Sequence, residues 1–200
     1  MAGILILLRH GQTEWARDGR HTGLTDLPLT DVGVQQARAA AGLLSDVLDG
    51  AAPALVLTSP LQRAATTAGL AGLHAETEPR LVEWDYGGYE GLTGDQIRER
   101  AGADWTVFDD GVVPGATPGE TLQQVADRGR AVIARVTPVL ADGDVVLVGH
   151  GHALRVLATC WLGADPRLAE RLLLDPAGVS VLAPYRDVPS IRHWNLQARG

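Results

Sequence analysis

Ile4-Leu5-Ile6-Leu7-Leu8-Arg9-His10-Gly11 decides the fold. Five apolar residues in succession, without alternation, describe a strand covered on both faces, as in the interior of a parallel sheet. The run ends abruptly at a cation, an imidazole and a glycine. Two later stretches repeat the pattern. Leu55-Val56-Leu57 leads into Thr58-Ser59-Pro60-Leu61-Gln62-Arg63, and Val145-Val146-Leu147-Val148 leads into Gly149-His150-Gly151-His152. Helical patterns fill the intervals. Thr30 is placed to cap a helix whose stripe is Val34, Ala37, Ala41, Leu44 and Leu48. Ser59-Pro60 reads as the opening of a helix reaching about Leu73. Leu122, Val125, Ile133, Val136 and Leu140 form another stripe, cut short by Pro138. Residues 152–161 read as a short helix, and residues 179–183 and 190–194 as late edge strands.

Buried strands alternating with helices predict an α/β fold, a three-layer sandwich with a mostly parallel central sheet and helices on both faces. Two hundred residues suit one domain spanning 1–200. Within it, residues 84–120 are rich in Gly, Asp and aromatics, with one weak helix near 95–100. That stretch is expected to be a lid-like insertion over the site.

In open parallel sheets, ligands bind beyond the carboxyl ends of the strands. Three strands therefore deliver Arg9, His10, Arg63 and His150 to one edge. Two forked guanidinium groups, with helix N-termini after Ser59 and Gly151, make an anion site. A histidine among them can donate to a phosphate or attack phosphorus.

Composition removes other classes. The formal charge is -7 and no basic run occurs, so nucleic acid is not an expected partner. All 17 basic residues are Arg. Cys160 stands alone, which excludes an internal disulfide and fits a reducing cytoplasm. No apolar segment approaches membrane-spanning length, so no membrane partner is expected, and the first apolar run is too short for a signal core. Three histidines could in principle hold a metal, but no compact His-x-x-x-His or carboxylate–histidine motif is present. Neither a metal nor a cofactor is therefore expected.

The motifs together resemble the histidine phosphatase superfamily, which includes the cofactor-dependent phosphoglycerate mutases. Its signature matches Leu8-Arg9-His10-Gly11-Gln12-Thr13, Gly23-Leu24-Thr25-Asp26, Ser59-Pro60-Leu61-Gln62-Arg63-Ala64, Glu83-Trp84-Asp85-Tyr86-Gly87 and Gly149-His150-Gly151. The resemblance implies a phosphoglycerate mutase-like fold with His10 as the nucleophile that becomes phosphohistidine. It implies Arg9, Arg63 and a protonated His150 as the phosphate clamp, and Glu83 as the general acid and base. Gln12, Thr13, Thr22, Gly23 and Gly151 match phosphate or substrate positions, while His21 and Arg155 are placed to touch substrate, Arg155 through a second phosphate. Ala16 departs from the pattern, standing where many relatives carry an Asn that donates to the phosphate.

Within that family the blocks are similar to those of actinobacterial acid phosphatases and fungal sedoheptulose-1,7-bisphosphatase. The implied partner is a small phosphorylated metabolite, and a homodimer is compatible with the sequence. A mutase needs a basic insertion to hold a bisphosphate; residues 84–120 offer only Arg98 and Arg100 against eight carboxylates. Hydrolysis is the favoured expectation, mutase activity the alternative, and a non-catalytic phosphate-binding module the alternative of another class.

Overall fold

In a computed structural model that describes residues 3–198, the apolar runs form the sheet interior. In chain order the elements are β1 (Leu5–Arg9), α1 (Glu14–Arg17), α2 (Asp31–Val47), β2 (Leu55–Thr58), α3 (Gln62–Leu70) and β3 (Glu76–Thr77). There follow α4 (Gly94–Ala101), α5 (Leu122–Val136), β4 (Val145–Gly149), α6 (Gly151–Trp161), β5 (Val179–Tyr185) and β6 (Val188–Leu196). The sheet order is β3-β2-β4-β1-β5-β6. β1, β2, β3 and β4 pair in parallel, whereas β5 and β6 join antiparallel. The phosphoglycerate mutase-like α/β architecture is thus present, its sheet mixed only at one side.

Strand periodicity sorts the core into two layers. Leu5, Leu7, Leu57, Val145 and Leu147 face α5 and α6, meeting Val132, Val136, Leu154 and Leu157. Ile6, Leu8, Val56, Val146 and Val148 face α2 and α3, meeting Ala40, Leu44, Ala64 and Ala68. Each fully buried aliphatic side chain in these layers contributes about 1.5–3 kcal/mol. α2 starts where Thr30 accepts from the Gly33 amide at 3.0 Å. Its buried positions are Gly33, Ala37, Ala40 and Leu44, one residue off the expected stripe in its first half. The reason is steric. Gly33 lies so close to the Gly11–Gln12 turn that a Cβ on Gly11 would overlap the Gly33 backbone and one on Gly33 the Gln12 backbone, so the small-residue edge of α2 faces inward.

The structure departs from the sequence reading in several places. α3 begins at Gln62, not Ser59, and its N-cap Leu61 has no side-chain hydrogen bond. β3 has two residues and carries no apolar run that periodicity could detect. Residues 84–120 are more ordered than an irregular flap. Thr93 and Gln96 form a capping box on α4. Trp84, Tyr86, Tyr89, Ile97, Trp105 and Phe108 build a third apolar cluster against Val125 and Val156.

Candidate active site

Register sets the site. Arg9 pairs with Gly149 and Thr58 with Val148, so the residues leaving the three strands emerge side by side. The His10 amide donates to the Gly149 carbonyl at 2.9 Å, and the Ser59 amide to the Val148 carbonyl at 2.9 Å. The rings of His10 and His150 meet edge-on, centroids 5.1 Å apart.

His10 is 4% exposed. Its Nδ1 lies 2.7 Å from the Gly11 carbonyl, which can only accept, so Nδ1 carries the proton and Nε2 is the free lone pair. Burial, then Arg9 and Arg63, hold its pKa well below the usual histidine value. The ring is neutral, as a nucleophile must be. The Gly11 amide is fixed in turn by Thr67 Oγ1 at 3.0 Å.

Behind it lies a buried relay. Arg63, fully buried, donates from Nε to His150 Nδ1 at 3.1 Å. A guanidinium cannot accept, so Nε2 of His150 carries the proton and donates to Ser59 Oγ at 2.7 Å. Burial and Arg63 lower the His150 pKa well below normal. The expected protonated His150 is therefore corrected to a neutral one: it is placed where a neighbouring cation and desolvation both oppose a second proton. Arg63 Nη1 and Nη2 donate to the carbonyls of Thr25 (2.8 Å), Thr22 (3.2 Å) and Gly23 (2.7 Å). Glu90 takes the amides of Gly23 and Thr25 at 3.0 and 3.1 Å. The 22–25 loop is thus gripped through its carbonyls by one buried cation and through its amides by one carboxylate.

In front of His10 opens a cleft of about 180 Å³, lined by Arg9, His10, Ala16, Gly19, Arg20, His21, Thr22, Glu83, Tyr86, Gly151, His152, Arg155 and Leu174. Its size suits a small molecule rather than a polymer. Arg9 is held by a hydrogen bond from Nη1 to the Leu174 carbonyl at 2.5 Å. Its buried Nε has no protein partner. An orphaned buried donor of a cation costs several kcal/mol unless an anion meets it. Glu83, 5% exposed, receives the amides of Trp84 (2.9 Å) and Ala153 (2.8 Å) on Oε1 and of His152 (3.0 Å) on Oε2. Its carboxylate therefore sits on the N-terminus of α6, whose unpaired amides favour negative charge.

Of the residues singled out in the sequence, Arg9, His10, His21, Thr22, Glu83, Gly151 and Arg155 surround this cleft, with Arg63, His150 and Gly23 directly behind it. Gln12 and Thr13 are not among its lining residues. The Gln12 amide and carbonyl tie the turn to Gln36 and Thr30, and Thr13 caps α1 by accepting from the Ala16 amide at 3.2 Å. The sequence does not single out Arg20 or Leu174; it leaves Tyr86 open between pocket wall and lid packing, and His152 open between an entrance residue and one pointing away. His152 Nδ1 and the Tyr86 hydroxyl are 2.5 Å apart, and the His152 ring stacks on His21 at 6.0 Å and 9°. Burial lowers the pKa of both imidazoles and raises that of Tyr86. The signal available for His152 was its position two residues past His150, at the start of α6. Among the described residues no group of His, Cys, Asp and Glu is arranged to hold a metal ion, and no helix is long and apolar enough to cross a membrane.

A match to the histidine phosphatase superfamily (branch 1) spans residues 5–197. An acid phosphatase of Mycobacterium tuberculosis is 41% identical over 179 residues, 88% of this chain and 84% of its own. A sedoheptulose 1,7-bisphosphatase of Saccharomyces cerevisiae is 35% identical over 185 residues, 79% of this chain and 67% of its own. The solved structure of a mycobacterial glucosyl-3-phosphoglycerate phosphatase in complex with VO3 superposes with a TM-score of 0.82 at 30% identity, covering 98% of this chain and 100% of that one. Bacterial 2,3-bisphosphoglycerate-dependent phosphoglycerate mutases match at 36% and 35% identity.

Proposed function

The chain belongs to branch 1 of the histidine phosphatase superfamily, and on that premise we propose that it hydrolyses the phosphomonoesters of small metabolites through a phosphohistidine at His10. The observation that carries this reading is the pairing of two groups in one cleft: the unprotonated Nε2 of a buried, neutral His10 and the unpartnered Nε of Arg9. One is a nucleophile, the other a donor waiting for an anion.

The chemistry runs in two displacements. His10 Nε2 gives its lone pair to phosphorus while the ester P–O bond breaks. Glu83, as the general acid, gives the leaving oxygen its proton. Water then attacks the phosphohistidine, Glu83 takes its proton, the P–N bond breaks and phosphate leaves. Arg9 faces the phosphoryl oxygens, and losing one such donor typically costs about 10²–10³ in rate. The relay of Arg63, His150 and Ser59 holds the second imidazole against the first. No group other than these side chains is required.

Mutase activity shares the first displacement and is the second reading, supported by the likeness to the mutases. Hydrolysis is favoured because residues 84–120 contribute Tyr86 and no basic side chain to the cleft; Arg98 is exposed and paired with Asp95. Quenched turnover with a labelled phosphomonoester should leave acid-labile phosphate on His10, and His10→Ala should lose both the label and turnover while keeping its melting transition. Undiminished phosphate release by that variant would overturn the proposal. Conversion of 3- to 2-phosphoglycerate faster than phosphate release would replace it with the mutase reading.

A further inference from the structure

The backbone around Glu83 belongs to no regular element. A single 3-10 turn ends at Leu81, and residues 82–86 lie outside every helix and strand. A general acid must stand within hydrogen-bond reach of the oxygen it protonates. On an irregular segment, side chains have to supply that precision. Two of them do so here from outside the cleft: Glu120 and Arg128 are not among its lining residues.

Arg128 projects from α5 and uses its whole fork. Its Nη1 donates to the Val82 carbonyl at 2.7 Å and to the Arg80 carbonyl at 2.9 Å. Its Nε and Nη2 grip Glu120 in a two-pronged pair, at 2.9 Å on Oε1 and 3.1 Å on Oε2. Such pairs are the directional form of a guanidinium–carboxylate contact. Glu120 carries the grip past Glu83. Its Oε2 also accepts the Asp85 amide at 3.0 Å, and its carbonyl accepts the Trp84 indole N–H at 2.7 Å. Its own amide donates to the Asp85 carbonyl at 2.9 Å. The peptide before Glu83 is therefore fixed by Arg128, and the peptide joining Trp84 to Asp85 is fixed by Glu120. The pair is also withdrawn from water, its side chains 13% and 22% exposed. Every other ion pair among the described residues has at least one partner more than a third exposed. Exposed pairs contribute little; this one is shielded and tied to the backbone on both sides of Glu83.

We infer that Arg128, braced by Glu120, is a positioning residue for Glu83: it sets the strap that aims the general acid at the leaving oxygen. The inference rests on the phosphatase reading and deepens it. Misplacing a reacting group by on the order of 1 Å costs about 10²-fold in rate. Loss of the clamp should therefore weaken proton donation while leaving attack by His10 in place.

The test compares p-nitrophenyl phosphate, whose leaving group departs without a proton, with an alkyl phosphate, whose leaving group needs one. The alkyl ester is whichever of glycerol 3-phosphate, 3-phosphoglycerate and fructose 1,6-bisphosphate the wild type hydrolyses fastest. Phosphate release is measured as kcat/KM, and the reading is the ratio of the two esters. Loss of active protein cancels in that ratio, so a purely structural role would not move it. Arg128→Gln should slow the alkyl ester about 10–100-fold and the p-nitrophenyl ester less than about threefold. The alkyl loss should lie in kcat, as for a contact realised in the transition state. Glu120→Gln should shift the ratio in the same direction. In a Glu83→Gln background the acid is already gone, so Arg128→Gln should change the ratio by less than about twofold, as residues acting through one another are non-additive. If a melting scan shows Arg128→Gln unfolded, Arg128→Lys replaces it, keeping the charge without the fork. A wild-type ratio in the folded Arg128 variant, or an equal fall in both backgrounds, overturns the positioning role and leaves the phosphatase reading standing. A ratio untouched by Glu83→Gln itself overturns Glu83 as the acid and this inference with it. Absence of phosphate release from all three alkyl esters by the wild type overturns the phosphatase reading as well.

Discussion

Replacing Glu83 with Gln separates two jobs that the structure gives to one carboxylate. Its Oε1 accepts two backbone amides, from Trp84 and Ala153, and its Oε2 accepts a third, from His152. In Glu83→Gln the amide oxygen can keep the first two. The new NH₂ then faces the His152 N–H, donor against donor, and that buried amide is left unmatched at a cost of about 1–3 kcal/mol. Losing the negative charge at the N-terminus of α6 removes about 0.3–1 kcal/mol more. For a chain of this length each kcal/mol lowers Tm by roughly 2–4 °C, so calorimetry should show a drop of roughly 3–15 °C. Catalysis should fail unevenly. An alkoxide leaving group needs the proton, so alkyl phosphates should slow by about 10²–10⁴. p-Nitrophenolate leaves without one, and p-nitrophenyl phosphate should slow far less. The assay is kcat across a leaving-group series at a temperature where the variant is folded. Equal slowing along the series would refute Glu83 as the acid. An unchanged Tm would refute the claim that its carboxylate anchors α6.

Thr67 accepts the buried Gly11 amide and donates to the Arg63 carbonyl at 2.7 Å, so Thr67→Val should destabilise by about 1–3 kcal/mol and lower kcat by loosening the carbonyl that orients His10. Thr67→Ser should restore both in melting and turnover assays, and a Val variant with wild-type Tm would count against the contact. Glu78 is held at a pKa of about 2 by hydrogen bonds from Arg80, chiefly, and from Arg135, against the opposing effect of burial. A depressed carboxylate pKa stabilises the fold fully above its ordinary value of 4.5, and the contribution disappears as pH falls from there towards about 2. Glu78→Gln should therefore cost about 1–3 kcal/mol at pH 7, with a shallower loss of Tm between pH 4.5 and 2 than in the wild type; parallel acid limbs for the two proteins would sink this assignment.

The sheet was legible because its strands are apolar on both faces, and that same fact revealed where each ends. Helix ends were legible only where a side chain marks them. Thr30 announces α2, but Ser59 imitates a cap while its hydroxyl faces His150 and α3 starts three residues later. Strand ends brought Arg9, His10, Arg63 and His150 to one edge and the family resemblance added Glu83, yet neither could say which hydrogen bonds each would make. Arg63 is the clearest case. A guanidinium after a strand reads as a phosphate fork, but the carbonyls of residues 22–25 present three acceptors to it, and backbone carbonyls carry no sequence signature. Tyr86 and His152 were hidden for a related reason. An aromatic in a glycine-rich stretch reads equally as pocket wall or lid packing, and a histidine two residues past His150 as an entrance residue or one pointing away; only the fold sets them 2.5 Å apart at the wall of the cleft.

The neutral state of His150 follows from that same unreadable geometry and changes how the site must work. With Arg63 on one ring nitrogen and Ser59 on the other, His150 cannot supply a charge without giving up one of two buried hydrogen bonds. Positive charge in the cleft therefore comes from arginines alone, which do not titrate in the working range. The pH dependence of hydrolysis should then carry no step from the protonation of His150.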